Sequence, residues 1–359
     1  MSGCRRLTLV AASLAVAGGF ALALTASTHT PPFLEPDGRV TPGSLAEERR
    51  VELGGWPQYV LLRGRDARAP FLLVLHGGPG SSEMPFFRLF DAALEEHFLV
   101  VHWDQRGTGK SFGAELDPAT LTLERMTRDL DELVEYLRRE LGDRPLLLLG
   151  HSWGSLLGIE YASRHPQKLA AWVGVGQISD MVESERRGLA WALAEARSRG
   201  DADAVEALEA IGPPPYSWQT MLRQRPYVDR YGGAFVEPRS IPELVLVALQ
   251  APEVAWPDAV AFVRGQLLSL DALWPEIARY DAATAVPRLE LPAYFFLGRH
   301  DRQVSAELAA EYVDALEAPR KEIVWFERSA HSPPFEEPEK FVAETLRVAR
   351  EVGALASDR

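Results

Sequence analysis

The sequence predicts an α/β fold in which a mostly parallel central sheet is flanked by helices, and three observations predict it. First, short segments are apolar at nearly every position, as in Phe71–Leu75, Phe98–Trp103, Leu146–Leu149 and Ala171–Gly176. Strands buried on both faces read this way, because neither face alternates with water. Second, a segment with helical period stands between two of these runs, with Met126, Leu130, Leu133, Val134 and Leu137 on one stripe. Third, Phe71–Leu75 is stopped by glycines and the four-leucine run enters a glycine-flanked serine, so that strand, helix and strand follow one another as in a covered parallel sheet. The 359 residues, 47% hydrophobic and 25% charged, suffice for a packed core and exclude a disordered chain.

In chain order, Arg5 and Arg6 precede Leu7–Ala26, twenty residues without a charge. Residues 1–27 are therefore expected to be an export signal or a membrane anchor, which places the protein in the periplasm, outside the cell, or attached to a membrane through residues 7–26. The single cysteine, Cys4, precedes this segment, so disulfide, Cys-zinc and thiol-nucleophile chemistry are not expected downstream. Residues 28–44 read as a Pro- and Gly-rich linker, and VELGG with QYVLLRG as a hairpin. Residues 45–176 carry the first strands and helices of the core. From 177 to 286 the strand rhythm gives way to helical segments and proline-rich turns, an insertion expected to form a cap. The core resumes over 287–350, with strands at Ala293–Leu297 and Glu322–Phe326 and a last helix from Pro338.

The chemistry centres on Gly150-His151-Ser152-Trp153-Gly154, a G-x-S-x-G at the junction of a four-leucine strand and a helix. The flanking glycines let strand and helix approach while the serine sits in a strained turn. A serine hydroxyl needs a base to take its proton and an acid to orient that base. Asp301 in GRHD and His331 in SAHSPP follow successive late strands, so both fall on loops at strand carboxyl ends. A tetrahedral oxyanion needs backbone donors, worth about 3 kcal/mol each. Trp153, which follows the nucleophile, and Gly78, in HGGPG, are the expected pair.

Other features are assigned structural roles. Asp104 and Arg106 in DQRGTGKS are expected to brace the site's rim, and GTGKS lacks the spacing of a nucleotide loop. His76, His102, His151, His165 and His300 form no metal-ligand pattern and are read as structural, so neither a metal nor another cofactor is expected. A formal net charge of −13 without a basic cluster argues against a nucleic-acid partner.

Taken together, HGGPG, DQRGTGKS, GHSWGS, GRHD and SAHSPPFEEPEKF resemble the proline iminopeptidase branch of the α/β-hydrolase superfamily over residues 50–348. The resemblance implies the α/β-hydrolase fold with a mostly helical cap. It also implies a triad of Ser152, Asp301 and His331, with Gly78 and Trp153 as oxyanion donors. Family members release N-terminal residues, often proline, and carry W-x-x-W-E early in the cap, whose acidic groups recognise the substrate amine. Here that region reads GLAWALAEARSRG, with Trp191 and Glu195 at a different spacing. Glu183, Glu185, Glu195 and Glu253 are the candidate amine ligands, and Trp191, Glu195, Tyr216 and Trp218 the candidate lining of the substrate pocket. The leading expectation is an acyl-enzyme aminopeptidase acting on small peptides with N-terminal proline or another small apolar residue. A carboxylesterase or amidase for small apolar acyl groups is the alternative, and a non-catalytic binding protein on the same fold is the third reading. The sequence leaves the oligomeric state open.

Overall fold

The computed structural model describes residues 28–356 of the chain. The expected export or anchor segment lies outside them, and among the described residues no helix is long and apolar enough to cross a membrane. The VELGG and QYVLLRG segments form an antiparallel hairpin of β1 (Leu45–Leu53) and β2 (Trp56–Gly64), paired from Leu45↔Gly64 to Leu53↔Trp56. It continues into β3 (Phe71–Leu75), β4 (Leu99–Trp103), β5 (Leu146–His151), β6 (Ala171–Val175), β7 (Ala293–Gly298) and β8 (Lys321–Phe326). The eight strands lie in the order β1-β2-β4-β3-β5-β6-β7-β8, with β2 antiparallel to β4 and every pairing from β4 to β8 parallel.

The apolar runs are continuous because both faces are covered. Phe71, Leu73 and Leu75 of β3 pack with Leu99 and Val101 of β4 into the cluster under α2 (Leu123–Leu141) and α3 (Trp153–Arg164). Leu72 and Val74 point the other way, into a second cluster with Phe87 of α1 (Met84–Phe90) and Phe341 and Val348 of a C-terminal helix. Successive side chains of a strand thus feed opposite cores. The predicted stripe of α2 is fully buried, its N-terminus is capped by Thr122 Oγ1 accepting from the Arg125 N–H, and Gly142 ends it.

Between β6 and β7 stand α4 (Met181–Ser198), α5 (Ala202–Glu209), α6 (Trp218–Arg230), α7 (Ile241–Ala248), α8 (Trp256–Ile277) and the single turn α9 (Ala282–Ala285). Asp180, Asp201, Ser217 and Ser240 cap the first four of these by accepting a backbone N–H three residues on. After β7 come α10 (Ala306–Ala315), α11 (Pro333–Glu336) and α12 (Pro338–Glu351), with β8 between the first two. All the parallel strands point their carboxyl ends to the side on which the loops bearing Ser152, Asp301 and His331 emerge.

Candidate active site

Ser152 joins β5 to α3 with φ 54° and ψ −120°, and it is the only non-glycine residue with positive φ among the described residues. Such a backbone costs about 1–3 kcal/mol and persists because its surroundings fix it. The Ser152 N–H is bonded to the Val175 carbonyl at 2.9 Å, tying the turn to β6. A Cβ on Gly150 would collide with the Gly154 carbonyl, and one on Gly154 with the Leu75 carbonyl. The two glycines of the motif are therefore required by close backbone approach, and the turn presents a buried serine, 8% exposed, at the floor of a cavity.

Asp301 and His331, thirty residues apart, meet beside it. His331 Nδ1 lies 2.8 Å from Asp301 Oδ2. The other oxygen, Oδ1, accepts the N–H groups of Gln303 at 2.9 Å and Val304 at 3.0 Å, so the carboxylate cannot rotate away. His331 Nε2 is buried with no hydrogen-bond partner in the described chain, Ser152 included, and both residues line the same cavity. With Nδ1–H given to Asp301, Nε2 is the nitrogen left to exchange a proton. Gly176 makes room for the ring, since a Cβ there would lie 3.0 Å from His331 Cε1. Gly78 and Trp153 line the same cavity as Ser152. The Trp153 indole donates to Gln105 Oε1 at 2.8 Å and anchors α3 to the loop after β4.

Asp104 and Arg106 act on that loop's architecture. Asp104 accepts from the Ser82 hydroxyl and from the Lys110 N–H, linking the glycine loop after β3 to the turn after β4. Arg106 forms a buried pair with Asp129 of α2 at 2.7 Å and donates to the Leu53 and Gly54 carbonyls. Of the histidines, His76 places Nδ1 2.9 Å from the Gly77 carbonyl and accepts the Gln105 N–H at Nε2, the pattern of a neutral ring; burial keeps its pKa low. His102 is held neutral by burial, its pKa lowered to about 3.

His151 differs. Its Nδ1 lies 2.7 Å from Glu83 Oε1 and its Nε2 2.8 Å from the His331 carbonyl. Burial opposes the charged ring, but Glu83's charge and hydrogen bond, with the His331 carbonyl, outweigh it and raise the pKa. Burial likewise pushes the Glu83 carboxyl up, yet His151 and the Gly77 N–H hold it below the usual carboxylate range. No motif in the sequence singles out Glu83, sixty-eight residues from its partner.

The cavity measures about 270 Å³ and its walls are largely apolar, with Ile178, Met181, Met221, Leu270, Trp274 and Ile277 among them. Arg225 and Gln266 bring polar groups from the cap. None of the four cap residues expected to line the pocket does so. Trp191 packs edge-on against Tyr231 inside the cap, and Glu195 is turned outward to Arg199. Tyr216 is buried under α8, its carbonyl accepting the Trp274 indole N–H, and Trp218 reaches Asp271 on the outer surface. They satisfy cap packing instead, and the cap tryptophan at the cavity is Trp274.

The candidate amine ligands are also occupied. Glu183 is paired with Arg186 and Arg187. Glu185 is buried against Arg225 at 2.6 Å. Glu253 is bound by Arg88 and Thr30. The carboxylate that does line the cavity is Glu83, from the core.

The model of the alpha/beta hydrolase fold family matches residues 70–338. A probable aminopeptidase, YbaC, of Bacillus subtilis (strain 168) is 30% identical over 311 residues, covering 86% of this chain and 97% of that protein. A proline iminopeptidase of Clostridium botulinum is 28% identical over 76% of this chain and 86% of its own length. Among solved structures, the proline iminopeptidase of Mycobacterium smegmatis superposes with a TM-score of 0.64 at 20% identity, covering 87% of this chain and all of that one. The family match spans the segments that hold Ser152, Asp301 and His331 as well as the helical insertion. The chain belongs to the α/β-hydrolase fold family, on its proline iminopeptidase-like branch.

Proposed function

We propose that this α/β hydrolase is a serine aminopeptidase that works through an acyl-enzyme and releases a small apolar residue, proline foremost, from the amino end of short peptides. The observation that carries the reading is the held Asp301–His331 pair, whose free Nε2 shares the cavity with Ser152. His331 takes the Ser152 proton as Oγ attacks the scissile carbonyl, and Asp301 steadies the imidazolium that forms. The Gly78 and Trp153 N–H groups receive the oxyanion. His331 then protonates the leaving amine, and water, activated by the same nitrogen, hydrolyses the ester.

A space of about 270 Å³ with largely apolar walls suits one small residue rather than a long acyl chain. The relatives named probable aminopeptidase and proline iminopeptidase support release from the amino end. A second reading, an esterase or amidase of small acyl groups, is favoured by one observation: the four acidic cap residues weighed as amine ligands are each paired with an arginine.

The two readings separate on kcat/KM for prolyl- and alanyl-arylamides, their N-blocked forms and short-acyl nitrophenyl esters. The aminopeptidase reading predicts a preference for free-amine arylamides that blocking abolishes. Turnover of esters alone would leave the esterase standing. Residues 1–27 are proposed, in either case, to carry the protein out of the cytoplasm or to hold it at a membrane.

A further inference from the structure

We propose that His151, carried as an imidazolium and bridged to Glu83, is a positioning residue that locks the loop bearing Gly78 to the loop bearing the base His331. The bridge consists of three hydrogen bonds. Glu83 Oε2 accepts the Gly77 N–H at 3.0 Å, Glu83 Oε1 lies 2.7 Å from His151 Nδ1, and His151 Nε2 lies 2.8 Å from the His331 carbonyl. It thus joins the ends of β3, β5 and β8, which are far apart in sequence and carry the oxyanion turn, the nucleophile and the base. His151 immediately precedes Ser152, so the bridge crosses the site at its floor.

Proton accounting sets the charge. A backbone carbonyl only accepts, so Nε2 must carry a hydrogen. The Nδ1–Oε1 contact needs one proton between them, and a carboxylic acid gives it up more readily than an imidazolium, by about two pH units in water. The pair is therefore ionic, in a site where the His151 and Glu83 side chains are only 3% and 13% exposed. His76, next to the same turn, supplies the contrast: it faces one acceptor and one donor and is satisfied as a neutral ring.

The other titratable groups around the bridge are His76, held neutral by burial; Asp301, which favours the His151 cation; and His331, whose ring centroid is 4.9 Å away. From the cap, Arg225 lines the cavity, and Asp229 interacts with Arg225 and His331.

The lock has a window. His151's pKa is raised, so its contribution is complete below the ordinary imidazole value near 6.5 and lost as pH rises through the higher value. Glu83's pKa is lowered, so its contribution is present above the ordinary carboxyl value and lost as pH falls through the lowered one. Deprotonation would set the Nδ1 lone pair against the carboxylate, and Glu83 would swing away with the Gly77 N–H.

The inference rests on the serine-hydrolase reading for its effect on rate but not for the charge state, and the test uses both. In full-length protein labelled with ¹⁵N-histidine, the ring identified by its loss in His151→Asn is expected to carry protons on both nitrogens at pH 8. In kcat/KM against pH, Glu83→Gln is expected to move the alkaline limb down by one unit or more. It should also lower kcat at least tenfold while KM changes less than threefold. A neutral His151 ring at pH 8 overturns the inference, and so does an alkaline limb that Glu83→Gln leaves in place. Failure of the serine mechanism would appear separately, as activity surviving in Ser152→Ala.

Discussion

At the carboxyl ends of the strands, Gly150 and Gly154 face backbone carbonyls that leave no room for a Cβ, whereas cap helix α7 buries none of its eight residues. The core site is fixed by contacts that admit one residue type, and the cap is assembled from contacts that admit many. Substitutions should therefore be sharply selective in the first region and graded in the second.

The largest effect is expected at Ser152, the nucleophile proposed above. Ser152→Ala should lower kcat/KM by roughly 10⁵-fold with unchanged thermal unfolding. Next, Asp301→Asn should cost roughly 10⁴-fold in kcat, because an amide cannot hold the His331 tautomer that leaves Nε2 free; KM measured alongside should move little. In the cap, Arg225→Ala strips the partner from the buried Glu185 carboxylate and should destabilise the protein by about 3–5 kcal/mol in urea unfolding. Burial already pushes the Glu185 carboxyl up despite Arg225. The smallest effect tests the boundary between the regions: Glu195→Gln should leave kcat/KM on prolyl-arylamide within about twofold, since its ion pair with Arg199 lies on the outer face. A tenfold loss there would return amine recognition to the cap.

The same contrast explains what the sequence revealed. The runs that became β3, β4, β5, β6 and β7 were legible because strands covered on both faces tolerate no polar alternation. Ser152 was legible because its turn needs glycines at fixed spacing, and Asp301 and His331 because each follows a strand in a loop with recognisable chemistry. The Asp301–His331 hydrogen bond at 2.8 Å is where those separate inferences meet. The cap was legible only as a helical interruption. Tyr216 and Trp218 are aromatic whether they face substrate or pack the cap, so composition alone could not place them, and Trp274 was indistinguishable from either. Pairs such as Glu185–Arg225 and Glu83–His151 join residues forty and sixty-eight positions apart, a separation for which local pattern carries no signal.

Asp104 and Arg106 stand between these extremes. Their bracing role followed from a loop sequence that fits no ligand motif, but the partners, Ser82, Lys110 and Asp129, emerged only from the packing of three segments.

The proposed mechanism stands on acylation of Ser152. The most direct measurement is mass spectrometry of the protein quenched during turnover of a short-acyl nitrophenyl ester, with a nitrophenol burst recorded in parallel. One acyl group per chain is expected, located on Ser152, with a burst of matching size, both absent in Ser152→Ala. An unmodified Ser152 during a stoichiometric burst, or an acyl group that persists in Ser152→Ala, would contradict it.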